Sequence, residues 1–136
     1  MDIIKEKCNP ISKEELQGMR ETIKEENRWK LISNIVVNCY NEVIKFSKSN
    51  ENTTFIFSPC KTKCYYQLGG CWDFIDNNRK DIIETLEGIF TGCDIQINTF
   101  SKLSNGEMCD ISKIDKETIS LFNPKYNESR IVINWD

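Results

Sequence analysis

The side chains best equipped for chemistry in this chain are its cysteines: Cys8, Cys39, Cys60, Cys64, Cys71, Cys93 and Cys109. Three of them crowd one short stretch. Cys60, Lys61, Thr62, Lys63 and Cys64 are followed by Tyr65, Tyr66, Gln67, Leu68, Gly69, Gly70 and Cys71, a loop-like segment containing two glycines. With a fourth thiolate from Cys93 or Cys109, this loop could form an all-sulfur tetrahedral zinc site of the structural kind. We take Cys60, Cys64, Cys71 and Cys93 as the candidate metal ligands. The spacing supports this only in part, because no second close pair follows and no histidine stands in for one. A disulfide within the loop and unligated thiols are the competing readings, and unligated thiols lead. An odd cysteine count cannot pair fully within one chain, and no export signal precedes it, so reduced thiols are the default. Cys39, inside an apolar helical pattern, and Cys93, at the head of an apolar alternation, read more simply as small buried hydrophobes.

The missing residue types narrow the chemistry further. The chain contains no histidine, which removes the usual general base at neutral pH and every Ser-His or Cys-His nucleophile pair. Asp73 and Asp76 flank Phe74 and Ile75 and could in principle form a glycosidase-like carboxylate pair. Turn formation and helix capping explain them more economically. No Walker loop or GxGxxG motif occurs, and Gly69-Gly70 lacks the Gly-Lys-Ser/Thr continuation. Tyr65, Tyr66 and Trp72 could form an exposed aromatic platform for a partner protein or, less favourably, a nucleic-acid base. A net charge of −3 and a pI near 5.1 oppose sequence-independent nucleic-acid binding. The expected function is therefore non-enzymatic, carried by surfaces, with protein partners and no cofactor; the alternative is a small zinc-stabilised binding module built on the central cysteine loop.

Something must position these groups. At 136 residues, 39% hydrophobic and 29% charged, the chain suits one soluble domain spanning 1–136. No window reaches the ~18 apolar residues of a membrane span, and no secretory signal is visible, so a protein that is not secreted is expected. Residues 1–11 read as a lead that could be mobile, and Ser12-Lys13-Glu14-Glu15 as a capping box opening a helix. Leu16, Met19 and Ile23 mark a narrow apolar stripe. After the polar Lys24–Arg28, a stronger stripe runs through Trp29, Ile32, Ile35, Val36, Cys39, Tyr40, Val43 and Ile44, giving one long helix or a pair. Ser47–Asn52 reads as a loop, Thr53–Ser58 as a strand ended by Pro59, and 59–72 as the Cys/Gly-rich loop. Asn77 or Asn78 would cap a central helix carrying Ile82, Ile83, Leu86, Ile89 and Phe90, with Gly92 in the left-handed position beyond it.

The remainder reads as strands. Cys93, Ile95 and Ile97 alternate with polar residues, Asn105-Gly106 suits a tight hairpin turn, Thr118–Phe122 is a short strand, and Asn123-Pro124 is a turn. Arg130–Trp135 is the clearest strand. Its consecutive Ile131, Val132 and Ile133 favour a central position in the sheet over an edge available for dimerisation. The expected fold is α+β, with an N-terminal helix or helix pair and one central helix packed on a mainly antiparallel sheet of about four strands.

The Ile-rich helix, the run Asp81-Ile-Ile-Glu-Thr-Leu86 leading through Gly92-Cys-Asp-Ile-Gln-Ile97, and the closing Arg130-Ile-Val-Ile-Asn-Trp135 together resemble short uncharacterised α+β proteins of large DNA viruses infecting amoebae or algae. The absence of alanine beside abundant Ile, Asn and Lys fits an AT-rich genome. The resemblance implies a minor virion or capsid-associated component, located in the host cytoplasm or the particle, with capsid proteins or a second copy as partners. It assigns no functional residue.

Overall fold

The computed structural model describes residues 7–59 and 71–136. Helix α1 spans Lys13–Ser49. It starts where the capping pattern predicts: the Glu15 N–H donates to Ser12 Oγ at 3.1 Å, and the Leu16 N–H to the Ser12 carbonyl at 3.1 Å. The helix runs unbroken through Lys24–Arg28. Glu25 accepts there from Arg28 at 2.7 Å and from Trp29 Nε1 at 3.0 Å, pairs that bridge successive turns. It also continues to Ser49, beyond the expected start of the loop, where Ser47 and Ser49 hydroxyls bond back to the Ile44 and Lys45 carbonyls. The chain divides into two compact units, Met1–Ser33 and Asn34–Asp136, with the boundary inside α1.

The second unit holds all the described strands. After the end of α1 come β1 (Thr54–Phe57), α2 (Cys71–Asn77), α3 (Arg79–Ile89), β2 (Asp94–Lys102), β3 (Met108–Asp110), α4 (Lys116–Ile119), a 3₁₀ turn (Pro124–Tyr126) and β4 (Glu128–Asn134). The strands form an antiparallel sheet in the order β1-β4-β2-β3. The fold is α+β. The closing strand is central, as its uninterrupted apolar run requires.

Register places Ile95 opposite Ile133, Ile97 opposite Ile131, and Phe57 opposite Ile131 on the other side, so these side chains share one face. Helices cover that face. Ile35, Val36, Cys39 and Val43 of α1, Ile75 of α2, and Ile82 and Leu86 of α3 are all buried with them. Phe46 of α1 closes one end against Phe55, with ring centroids 5.0 Å apart, and against Trp135 at 6.2 Å. The opposite face is polar or half-buried at Gln96, Asn98, Arg130 and Val132.

Turn chemistry follows the sequence in two places and departs from it in two others. Gly92 and Gly106 sit at φ +82° and +89°, and Gly106 closes the β2–β3 hairpin with its N–H on the Leu103 carbonyl at 2.9 Å. Asn78 holds the cap position of α3, and its Nδ2 donates backwards to the Phe74 carbonyl at 2.8 Å. Thr118–Phe122 is not a strand. Asp115 caps a helical turn there by accepting from the Thr118 N–H at 2.7 Å, and the Ser120 hydroxyl returns to the Glu117 carbonyl. A local cap of this kind outcompetes the β preference of Thr, Ile and Phe when no neighbouring strand is available.

Candidate functional site

Of the residues singled out for metal binding, Cys60 and Cys64 lie outside the described residues, and Cys71 is described only through the backbone that opens α2. Cys93 is half-buried immediately before β2. Among the described residues no group of three or more Cys, Asp or Glu side chains could hold a metal ion. The aromatic platform fares similarly: Tyr65 and Tyr66 lie outside the described residues, and Trp72 is described only by its helical backbone. Cys39 is fully buried, and burial, reinforced by the charge of Glu42, pushes its thiol up to about 12. Such a thiol is a packing group, inert as a nucleophile.

Of the carboxylate pair, Asp73 is exposed in the first turn of α2, and Asp76, expected as a turn or cap residue, lies within α2 and fastens it to the sheet. Asp76 Oδ1 accepts from the Ser129 hydroxyl of β4 at 2.6 Å and from Arg79 Nη2 at 2.7 Å, while Arg79 Nη1 reaches the Ile97 carbonyl of β2 at 3.1 Å. Asp76 thus ties α2 and the start of α3 to the two inner strands. The sequence carried a signal for this, because Ser129 occupies a position on the buried face of a strand otherwise filled by Ile131 and Ile133. A buried hydroxyl at such a position needs an acceptor from the layer above.

Two surfaces remain that could receive another molecule. The first is the outer edge of β1. The Trp135 N–H bonds to the Thr53 carbonyl at 2.9 Å, so with the same register Phe55 and Phe57 face β4 with their backbone groups. Thr54 and Ile56 therefore turn theirs outward, and no strand among the described residues pairs there. A groove of about 630 Å³ runs beside this edge, lined by Asn38, Asn41, Glu42, Phe55–Ser58 and Arg130. The edge is short, and two outward-facing residues offer an added strand few ladder bonds.

The second surface lies on α1. Leu16, Met19 and Ile23 of α1 are 54%, 54% and 57% exposed. They succeed one another at i, i+3 and i+7, which puts them on one line along the helix. At about 100° per residue, that line lies roughly 160–220° around the axis from the buried Ile32, on the opposite face. Lys13 and Arg20 flank it on one side, Glu15 and Glu26 on the other. Four charges away from the line pair within the helix, Lys24 with Glu21 at 3.5 Å and Arg28 with Glu25 at 2.7 Å. Glu15 and Arg20 make no ion pair among the described residues. The result is an apolar seam bordered by unspent charge, acidic on one side and basic on the other. No helix is long and apolar enough to cross a membrane among the described residues. Comparison with protein-family models, with curated proteins and with solved structures found no match.

Proposed function

We propose that this chain is a non-enzymatic protein-interaction component whose contact surface is the Leu16–Met19–Ile23 line of α1 and whose partner presents a helix. The exposure of three large apolar side chains at i, i+3 and i+7 carries this reading. Isolated surface hydrophobes need no explanation, but an ordered line of them costs solvation without contributing to the core, and helix recognition uses this spacing. The resemblance to short proteins of large DNA viruses supports a role as a minor virion component.

The test separates a line used for contact from one used for folding. The triple variant L16S/M19S/I23S should melt within a few degrees of the parent, and a photocrosslinking residue at Met19 should give a protein adduct in the cells that make the chain. The same crosslinker at Glu21, on the far side of the helix, should not. A large loss of thermal stability in the triple variant would assign the line to the fold and end the reading. Particle proteomics tests the virion role.

A further inference from the structure

We propose that the partner helix is α1 of a second copy, paired in parallel about a two-fold axis. This rests on the reading of the Leu16–Met19–Ile23 line as a contact surface and adds its occupant. With Leu16 at heptad position a, Met19 falls at d and Ile23 at the next a, so Glu15 takes position g and Arg20 position e. In a parallel pair each g residue meets the e residue five positions later on the partner. Glu15 of one copy then faces Arg20 of the other, and the symmetry repeats the contact. An antiparallel pair would set g against g and e against e, acidic flank against acidic flank. The asymmetric border of the seam is therefore self-complementary in one orientation only. Charge placement is compatible with this, since Glu15 and Arg20 are not engaged in the ion pairs within the helix, Lys24 with Glu21 and Arg28 with Glu25.

The seam is short. Ser12 precedes it at a d position and Glu26 follows at the next d, so three apolar side chains per copy are covered. That falls well below the ~1,600 Å² of a standard stable interface, and the dimer is accordingly weak and concentration-dependent.

Sedimentation equilibrium of the full chain, reduced and at low salt, from ~10 μM to ~1 mM tests this. The weight-average mass should rise from 15.9 kDa towards twice that value. M19E should remain monomeric with unchanged melting. E15R and R20E each turn two attractive contacts into repulsive ones and should weaken self-association about tenfold, whereas an equimolar mixture of the two should recover it. A strict monomer at the highest concentration overturns the pairing, and so does an association that both charge reversals leave intact or that mixing fails to restore. A monomer in which L16S/M19S/I23S still melts like the parent removes only the second copy as occupant. A destabilised triple variant removes the contact surface itself.

Discussion

Asp76 offers a quantitative test of how the helical layer is fastened to the sheet. Its carboxylate is 45% exposed, and its ion pair with Arg79 is accordingly screened, worth ~0–1 kcal/mol. The bond from Ser129 is different, because that residue is only 3% exposed and its hydroxyl reaches a charged acceptor at 2.6 Å. Such a bond contributes ~1.5 kcal/mol or somewhat more, and a buried hydroxyl deprived of its partner adds an uncompensated desolvation cost of ~1 kcal/mol or more. Asp76→Ala should therefore cost about 2–3 kcal/mol, and Ser129→Ala, which removes the hydroxyl together with its need for a partner, ~1–1.5 kcal/mol. The double variant should cost only ~2 kcal/mol, because the orphaned group is gone, leaving a coupling of ~1–2 kcal/mol. For a chain of this length, the single Asp76→Ala change corresponds to a fall in Tm of roughly 6–15 °C. Urea unfolding of the four proteins in the cycle measures each quantity. Additivity within ~0.5 kcal/mol would show that the contact does not fasten the layers and would refute the reasoning.

Four further outcomes follow from the same geometry. Ser101 is fully buried in β2 with no partner for its hydroxyl among the described residues, so Ser101→Ala should be neutral or raise the melting temperature; a clear loss would show that the hydroxyl is satisfied. The Arg28 hydrogen bond, with help from Trp29 and the Arg28 charge, holds the Glu25 carboxyl below the ordinary carboxylate range. A depressed folded-state value means stabilisation present above the unfolded pKa and lost as pH falls through the folded one, so the NMR-detected midpoint of Glu25 should rise in Arg28→Ala, and an unmoved midpoint would contradict the assignment. Cys39 should resist a thiol reagent at pH 8 until the chain unfolds, so Cys39→Ser should leave the number of fast-reacting thiols unchanged; a smaller number would place Cys39 within reach of solvent. Protein purified without chelator should carry less than about a tenth of an equivalent of zinc and melt unchanged after chelation, whereas stoichiometric metal would establish the cysteine-loop site.

The elements that could be read directly were those whose side-chain period leaves one solution. Alternation through Ile95 and Ile97 gave a one-sided strand, Asn105-Gly106 gave its hairpin, and Ile131-Val132-Ile133 gave the centre of the sheet. Thr118–Phe122 misled because β-branched and aromatic residues express their preference only beside another strand, while Asp115 supplied a competing bond within reach. The role of Asp76 was out of reach for a related reason. Its partner Ser129 is remote in sequence, and only the folded register brings the two together. Of the chemistry proposed for the cysteine loop, Cys60 and Cys64 lie outside the described residues, and the structure bears on Cys93 alone through its half-buried side chain.

The exposed Leu16–Met19–Ile23 line was present in the sequence as a stripe, and its exposure follows from phase. Ile23 and Ile32 are separated by nine residues (32 − 23), about two and a half helical turns, so a continuous helix must carry them on opposite sides. Had the helix broken at Lys24–Arg28, a second short helix could have rotated to bury both stripes in one core. The helix instead runs through this stretch, with Glu25 accepting from Arg28 and Trp29 in the following turn, and that continuity fixes the half-turn offset. Continuity has a structural consequence: with the polar segment helical, Leu16, Met19 and Ile23 stay on the face opposite Ile32. Weakening it should reduce display of the seam before it affects the Ile131–Ile133 core.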